Sequence, residues 1–256
     1  MKSLQGKKAI VVGGRTGIGE KITAALAEEG VSVGICSRNV EGGRDYVNEL
    51  RSKGLTATFE YVDMQKAESI REGIKKLVDT LDGIDYLVNC AGINIRKPFL
   101  AYEEEEWDSI IDTNLKGPFI ACQTVAPYMI KQRQGRIVNI SSIRDSILIP
   151  NMAPYSVSKA AITQLTRTLS LELAKHGVTV NAVAPSYTRT PMMEYVLEKA
   201  GGEQSLTSRI PAGRIAEPAD VCAALLFFLL PEANYITGQI IHVDGGLSFT
   251  ETTAGL

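Results

Sequence analysis

The stretch Lys8-Ala9-Ile10-Val11-Val12-Gly13-Gly14-Arg15-Thr16-Gly17-Ile18-Gly19 decides how this chain folds. Residues 8–12 form a short, almost wholly apolar run, the pattern of a strand buried on both faces. Apolar residues then recur at 18, 22, 25 and 26, the stripe of a helix. Gly30 follows and suits the left-handed conformation that closes helices. Between strand and helix lie Gly13, Gly14, Gly17 and Gly19. Glycines there let the backbone turn tightly and approach a ligand. The helix N-terminus adds free N–H groups and partial positive charge, so the turn reads as a pyrophosphate cradle. Its spacing is G-x-x-x-G-x-G rather than G-x-G-x-x-G.

Outward from this unit the alternation continues. The spacing predicts strands over 31–36, 56–62, 84–88, 136–140, 178–183 and 239–243, and helices over 18–29, 40–53, 66–81, 103–130, 153–175 and 218–230. Pro118 and Pro127 predict a break or kink in the long helical region. Strand and helix in alternation imply an α/β fold: one doubly wound, seven-stranded parallel sheet with helices on both faces. No linker or repeat marks a second domain, so residues 1–256 are expected to form one. The long connection over 186–216, with a helical piece near 192–200, is expected to be a substrate lid.

Composition narrows the function. The chain has 256 residues, 45% hydrophobic and 22% charged, and 27 Lys+Arg against 29 Asp+Glu give a net charge of −2. That leaves no global basic field for nucleic acid. Cys36, Cys90, Cys122 and Cys222 form no C-x-x-C pair, which suits free thiols in a reducing compartment. His176 and His242 have no metal-ligand spacing, so no metal is expected. The longest apolar run, 221–230, is too short to cross a bilayer as a helix. The start of the chain lacks the pattern of a secretory signal. A cytoplasmic protein with no membrane or nucleic-acid partner is expected.

Two further places carry chemistry. The predicted second strand ends Gly34-Ile35-Cys36-Ser37-Arg38, with no acid where a ribose-binding carboxylate usually sits. Arg38 offers instead a guanidinium suited to a 2′-phosphate. NADP(H) is therefore the expected cofactor, with NAD as second choice, and Arg15 could add to the same phosphate site. Tyr155 and Lys159 stand four apart and share one helix face. A nearby ammonium stabilises a phenolate, which makes a tyrosine usable as proton donor or acceptor. The predicted fifth strand runs into Ser141-Ser142 at the sheet edge where such folds bind ligands. Ser142 can donate a hydrogen bond to a carbonyl oxygen gaining negative charge.

On these motifs the sequence resembles the short-chain dehydrogenase/reductase family over nearly its whole length. Gly13-x-x-x-Gly17-Ile18-Gly19 is similar to its cofactor turn, and Asn89-Cys90-Ala91-Gly92 to its N-N-A-G segment. Asn114, Ser142, Tyr155 and Lys159 match its catalytic tetrad. Residues 181–190 resemble its N-x-V-x-P-G-x-x-x-T stretch. Ile236-Thr237-Gly238-Gln239 and Val243-Asp244-Gly245-Gly246 resemble its usual ending. The resemblance implies a Rossmann-type fold, a homotetramer, and hydride transfer between a nicotinamide and a carbonyl/alcohol pair. Tyr155 would be the general acid/base, and Lys159 would lower its pKa and hold the nicotinamide ribose. Ser142 would orient the substrate oxygen, and Asn114 would position a water. Asp63 would meet the adenine, Ala91 and Gly92 would line the cofactor, and Thr190 would bind the carboxamide. Thr16, Ser37, Asn89, Pro185 and Thr188 would complete the cofactor site.

Three positions depart from the pattern. Val12 replaces a threonine whose side chain would bond toward Asn89, Cys90 replaces the second Asn of N-N-A-G, and Ser186 replaces a glycine. The substrate is a small molecule. Its pocket is expected from Ile93 to Arg96, from Ile143, Arg144 and Asp145, from 149–152, from Tyr187 and from the lid. Arg96 and Arg144 could pair with a carboxylate. The segment Asn94-Ile95-Arg96-Lys97-Pro98-Phe99 resembles that of gluconate 5-dehydrogenases and related sugar-acid members. A sugar acid or polyol is therefore the expected substrate. The alternatives are 3-oxoacyl-[acyl-carrier-protein] reduction, where Arg133 resembles one carrier-facing basic position of that group but His176 replaces the second, and a non-catalytic cofactor-binding sensor or scaffold.

Overall fold

The computed structural model describes residues 4–194 and 202–250. Its centre is a seven-stranded sheet, all parallel, in the order β3-β2-β1-β4-β5-β6-β7. The strands are β1 (Lys8–Val12), β2 (Ser32–Ser37), β3 (Ala57–Tyr61), β4 (Tyr86–Asn89), β5 (Gly135–Ile140), β6 (Val178–Pro185) and β7 (Ile240–Val243). The expected doubly wound α/β architecture of Rossmann type is the one observed. Strand order reverses between β1 and β4, which opens a crevice at their carboxyl ends.

Side chains alternate across each strand, so one strand feeds two cores. Ala9 and Val11 of β1 pack with α1 (Gly17–Glu28), α2 (Val40–Ser52) and α7 (Pro218–Leu229). Ile10 and Val12 pack on the other face with α3 (Ala67–Leu81) and α5 (Gly117–Gln132). A third, smaller cluster joins Ile143 to Met193, Leu206, Ile210, Ile215 and Leu247.

The long helical region expected over 103–130 divides. Helix α4 (Glu104–Ile111) runs into a π-helical segment, Asp112–Lys116, and then into α5. The break precedes Pro118 rather than falling on it. Proline has no N–H to offer the carbonyl four residues back, at Asn114. The chain adopts the wider i→i+5 pattern instead, with the Gly117 N–H bonded to the Asp112 carbonyl. Pro127 is carried inside α5. The helix expected over 153–175 is α6 (Ala153–Leu173), closed by a 3₁₀ turn, Ala174–His176. Strand β6 runs two residues past its expected end, where Pro185 registers with Val243 of β7. Residues 191–194 are helical, and 195–200 of the expected lid helix lie outside the described residues. Among the described residues no helix is long and apolar enough to cross a membrane.

Candidate active site

The crevice at the carboxyl ends of β1, β2, β4, β5 and β6 holds a cavity of about 690 Å³. One end is lined by Ser37, Arg38 and Asp63, and the other by Ser142, Arg144, Tyr155 and Tyr187. At its middle the backbone comes very close to itself. Gly13 has φ +80°, and a Cβ there would lie 2.7 Å from the Ala91 nitrogen. A Cβ on Gly19 would fall 2.1 Å from the Gly13 carbonyl oxygen. Any side chain at either position would disrupt the turn, so the sequence can be only glycine there. The Gly17 end of α1 is left facing the cavity, bordered by Thr190. A free helix N-terminus beside a long cleft, with a cation at its far end, fits a dinucleotide.

Arg38 is exposed at the end of β2. The Arg15 guanidinium lies over Gly42 at the start of α2, outside the cavity lining. Among the described residues neither arginine is ion-paired. Asp63 is buried to 9% exposure and accepts from the Gln65 N–H at 3.1 Å. Thr16, Ile18, Ala91, Gly92, Pro185, Thr188 and Thr190 line the cleft as expected positions. Gly19, Asn89 and Asn114 stand behind its wall.

Tyr155 and Lys159 face the cavity from the first turns of α6. The Lys159 Nζ is 5.6 Å from the centre of the Tyr155 ring and donates to the Ile140 carbonyl at 2.8 Å. Burial brings the Lys159 ammonium down to about 8, with Cys90 acting the other way. Burial also pushes the Tyr155 phenol up from its ordinary value. Hydrogen bonding to Ser142 and the charges of Arg144 and Arg96 pull it back. The expected lowering by Lys159 is thus not the feature seen: the opposing cations are the two arginines.

Asn114 is 1% exposed and locked on three sides. Its Oδ1 accepts from the Ile93 N–H at 2.8 Å, and its Nδ2 donates to the Ile93 carbonyl at 2.9 Å and to Ser158 Oγ at 3.1 Å. The π-segment aims it there. Asn89 donates to Asn139 Oδ1 at 2.8 Å, but its own Oδ1 is buried without a partner among the described residues. Val12 is its register neighbour on β1. The missing hydroxyl at position 12 is therefore visible as an unsatisfied acceptor.

Arg144 is 6% exposed. It donates to the Tyr187 hydroxyl at 2.9 Å and the Ile147 carbonyl at 3.1 Å, and no described carboxylate pairs with it. Arg96 lines the same end, 3.3 Å from Met152 Sδ. Asp145 was expected in this pocket but points away from it, onto α6. Of 149–152 only Met152 reaches the cavity. Cys36, Val62, Met64, Thr113 and Ser141 line it too and were not expected. Position just after a strand's carboxyl end was the one signal available for Val62 and Ser141.

A family model described as Enoyl-(Acyl carrier protein) reductase matches residues 12–248. The 3-oxoacyl-[acyl-carrier-protein] reductase FabG of Thermotoga maritima is 40% identical over 246 residues, covering 95% of this chain and 98% of that one. A gluconate 5-dehydrogenase from Burkholderia cenocepacia, solved in complex with NADP and tartrate, superposes with a TM-score of 0.94 at 32% identity, covering 98% of each chain. An actinorhodin polyketide ketoreductase solved with NADPH superposes with a TM-score of 0.91 at 33% identity, covering 95% of this chain and 98% of that one. With its parallel sheet, glycine turn and cleft-facing Tyr155–Lys159 pair, the chain belongs to the short-chain dehydrogenase/reductase family of oxidoreductases.

Proposed function

We propose that the protein is an NADP(H)-dependent oxidoreductase that interconverts a carbonyl and a secondary alcohol on a small, hydroxylated, anionic substrate such as a sugar acid. The nicotinamide, when bound, supplies the hydride that the carbonyl carbon accepts. Tyr155 gives the proton that the oxygen takes up, so one carbonyl gains one hydride and one proton. Ser142 holds the oxygen with a hydrogen bond as negative charge grows on it. Lys159 holds the ribose, Arg144 and Arg96 favour the phenolate left behind, and Asn114 keeps the path open for a proton from water. Arg38, with Arg15, takes the 2′-phosphate, so NADP(H) is preferred and NAD(H) is the second choice.

The observation that carries the substrate class is Arg144. A guanidinium buried without an acidic partner is costly unless a ligand supplies the anion. Arg96 at the same end of the cavity adds to that field. A polyol would use the same hydroxyl-binding surface without the charge. The 40% identity with the Thermotoga maritima enzyme favours a second reading, reduction of a 3-oxoacyl-[acyl-carrier-protein].

We read residues 1–256 as one cytoplasmic domain whose 186–216 segment closes over the substrate. Four copies would assemble by covering exposed apolar groups such as Phe227, Tyr235 and Phe249. Reduction rates with 5-keto-D-gluconate, ethyl acetoacetate and an acetoacetyl thioester, each with NADPH and NADH, test the proposal. Preference for the anionic keto acid with NADPH is expected. Turnover of the thioester alone would refute the sugar-acid reading. Tyr155→Phe should lose about 10²- to 10⁴-fold in kcat, and unchanged turnover would refute the mechanism.

A further inference from the structure

The short turn Ile143–Asp145, between β5 and the start of α6, sends its three side chains in three directions. Arg144 enters the cavity, and Ile143 packs into the third apolar cluster. Asp145 turns back onto the helix that carries Tyr155 and Lys159. Its carboxylate is 5% exposed, yet among the described residues it pairs with no lysine or arginine. Oδ2 accepts from Thr163 Oγ1 on α6 at 2.8 Å. Oδ1 accepts from Ser146 Oγ at 2.8 Å and faces His242 Nε2 of β7 at 3.4 Å. Thr163 Oγ1 lies 2.8 Å from Ser141 Oγ, and Ser141 Oγ lies 3.0 Å from the Lys159 carbonyl oxygen.

The protons in this chain of contacts can be counted. An ionised carboxylate only accepts, so the single hydroxyl hydrogen of Thr163 goes to Asp145. The Thr163–Ser141 contact must then use the hydrogen of Ser141, shared with the Lys159 carbonyl. The direction of every bond from β5 to the turn is thereby set by one carboxylate. Ser141 adjoins Ser142 in the chain, and Thr163 lies one helical turn beyond Lys159. The network ties the strand end that presents Ser142 to the helix that presents Tyr155 and Lys159. Two short hydrogen bonds within the turn, Arg144 N–H to Ser142 Oγ at 3.2 Å and Asp145 N–H to the Ser142 carbonyl at 2.9 Å, shape it but do not aim it.

We propose that Asp145 is a positioning residue that clamps the Ser142–Arg144 turn against α6 and so sets the distance between the Ser142 hydroxyl and the Tyr155 phenol. This rests on the reading of Ser142 and Tyr155 given above. Asp145→Ala should lower kcat for 5-keto-D-gluconate or ethyl acetoacetate by about 10- to 100-fold, the cost of a misplacement near 1 Å. The NADPH dissociation constant, read from nucleotide fluorescence, should stay within about twofold, because the clamp lies outside the cofactor end. Asp145→Asn should restore most of kcat, since its amide oxygen still accepts from Thr163. Thr163→Val should reproduce the loss, which covers the case of an Asp145→Ala protein that fails to fold. A kcat for Asp145→Ala within twofold of the parent overturns the clamp. So does a loss of NADPH affinity that tracks the loss of kcat. A parent protein inert toward both ketones overturns the reading of the site instead. The crystal structure of Asp145→Ala then decides the clamp, and a Ser142–Arg144 turn in its original place overturns it.

Discussion

The Arg144 guanidinium stands 5.3 Å from the centre of the Tyr187 ring and donates to that ring's hydroxyl at 2.9 Å. Tyr187 thus steadies the cation without neutralising it. Charge-assisted hydrogen bonds to such a group are worth about 1.5–3 kcal/mol. Arg144→Met should therefore raise KM for 5-keto-D-gluconate by about 10- to 100-fold. Ethyl acetoacetate, which is neutral, should change by less than about threefold. Steady-state kinetics on the two ketones measures the contrast.

Arg38 is the exposed cation at the end of the cleft where the proposed adenosine would lie. Replacing it with alanine should raise KM for NADPH by about 10- to 100-fold, the worth of a lost charge-assisted phosphate contact. KM for NADH should barely move. Titration of each cofactor at fixed ketone reads the result.

Lys159 sits in its pocket at a cost. Its pKa falls from 10.5 in the unfolded chain to about 8 in the fold, because burial disfavours the ammonium. Between those two values the unfolded chain binds more protons, so this group makes the protein more stable as pH rises from about 8 to 10.5. Below that window its penalty is constant. Lys159→Met should then stabilise the fold by about 1–3 kcal/mol at pH 7, with the gain shrinking by pH 10. Urea unfolding at both pH values checks this, and the variant should have lost turnover. In the parent protein, the ammonium form needed for activity should decline as pH passes about 8.

Val12→Thr should strengthen the protein. The new hydroxyl would lie beside Asn89, whose buried Oδ1 has no donor among the described residues. Satisfying it is worth about 1 kcal/mol, or about 2–4 °C in Tm for a chain near this size. A calorimetric scan gives the shift, and no gain would mean that the hydroxyl points elsewhere.

Much of this was legible beforehand because parallel strands buried on both faces are written as short apolar runs. Each of the seven expected strands corresponds to an observed one within two residues at either end. The glycine turn was legible for a steric reason, since no other residue fits at 13 or 19. The π-segment was not. It depends on an absent donor at Pro118 acting on a carbonyl one turn earlier, and periodicity alone marks only a break. The direction of Asp145 was also hidden. A three-residue turn has no period from which to read a face, and its partner on α6 is 18 positions away. The arginines' hold on Tyr155 was missed for the same reason: their proximity comes from loops that the sequence separates.

Ile143 belongs at once to the segment between Ser142 and Arg144 and to the apolar cluster beneath Met193, Leu206 and Ile210. On the proposed reading, the segment that would cover the substrate therefore shares a foundation with the groups that would hold the reacting oxygen. Grafting that segment from one relative onto another should then carry reactivity along with selectivity.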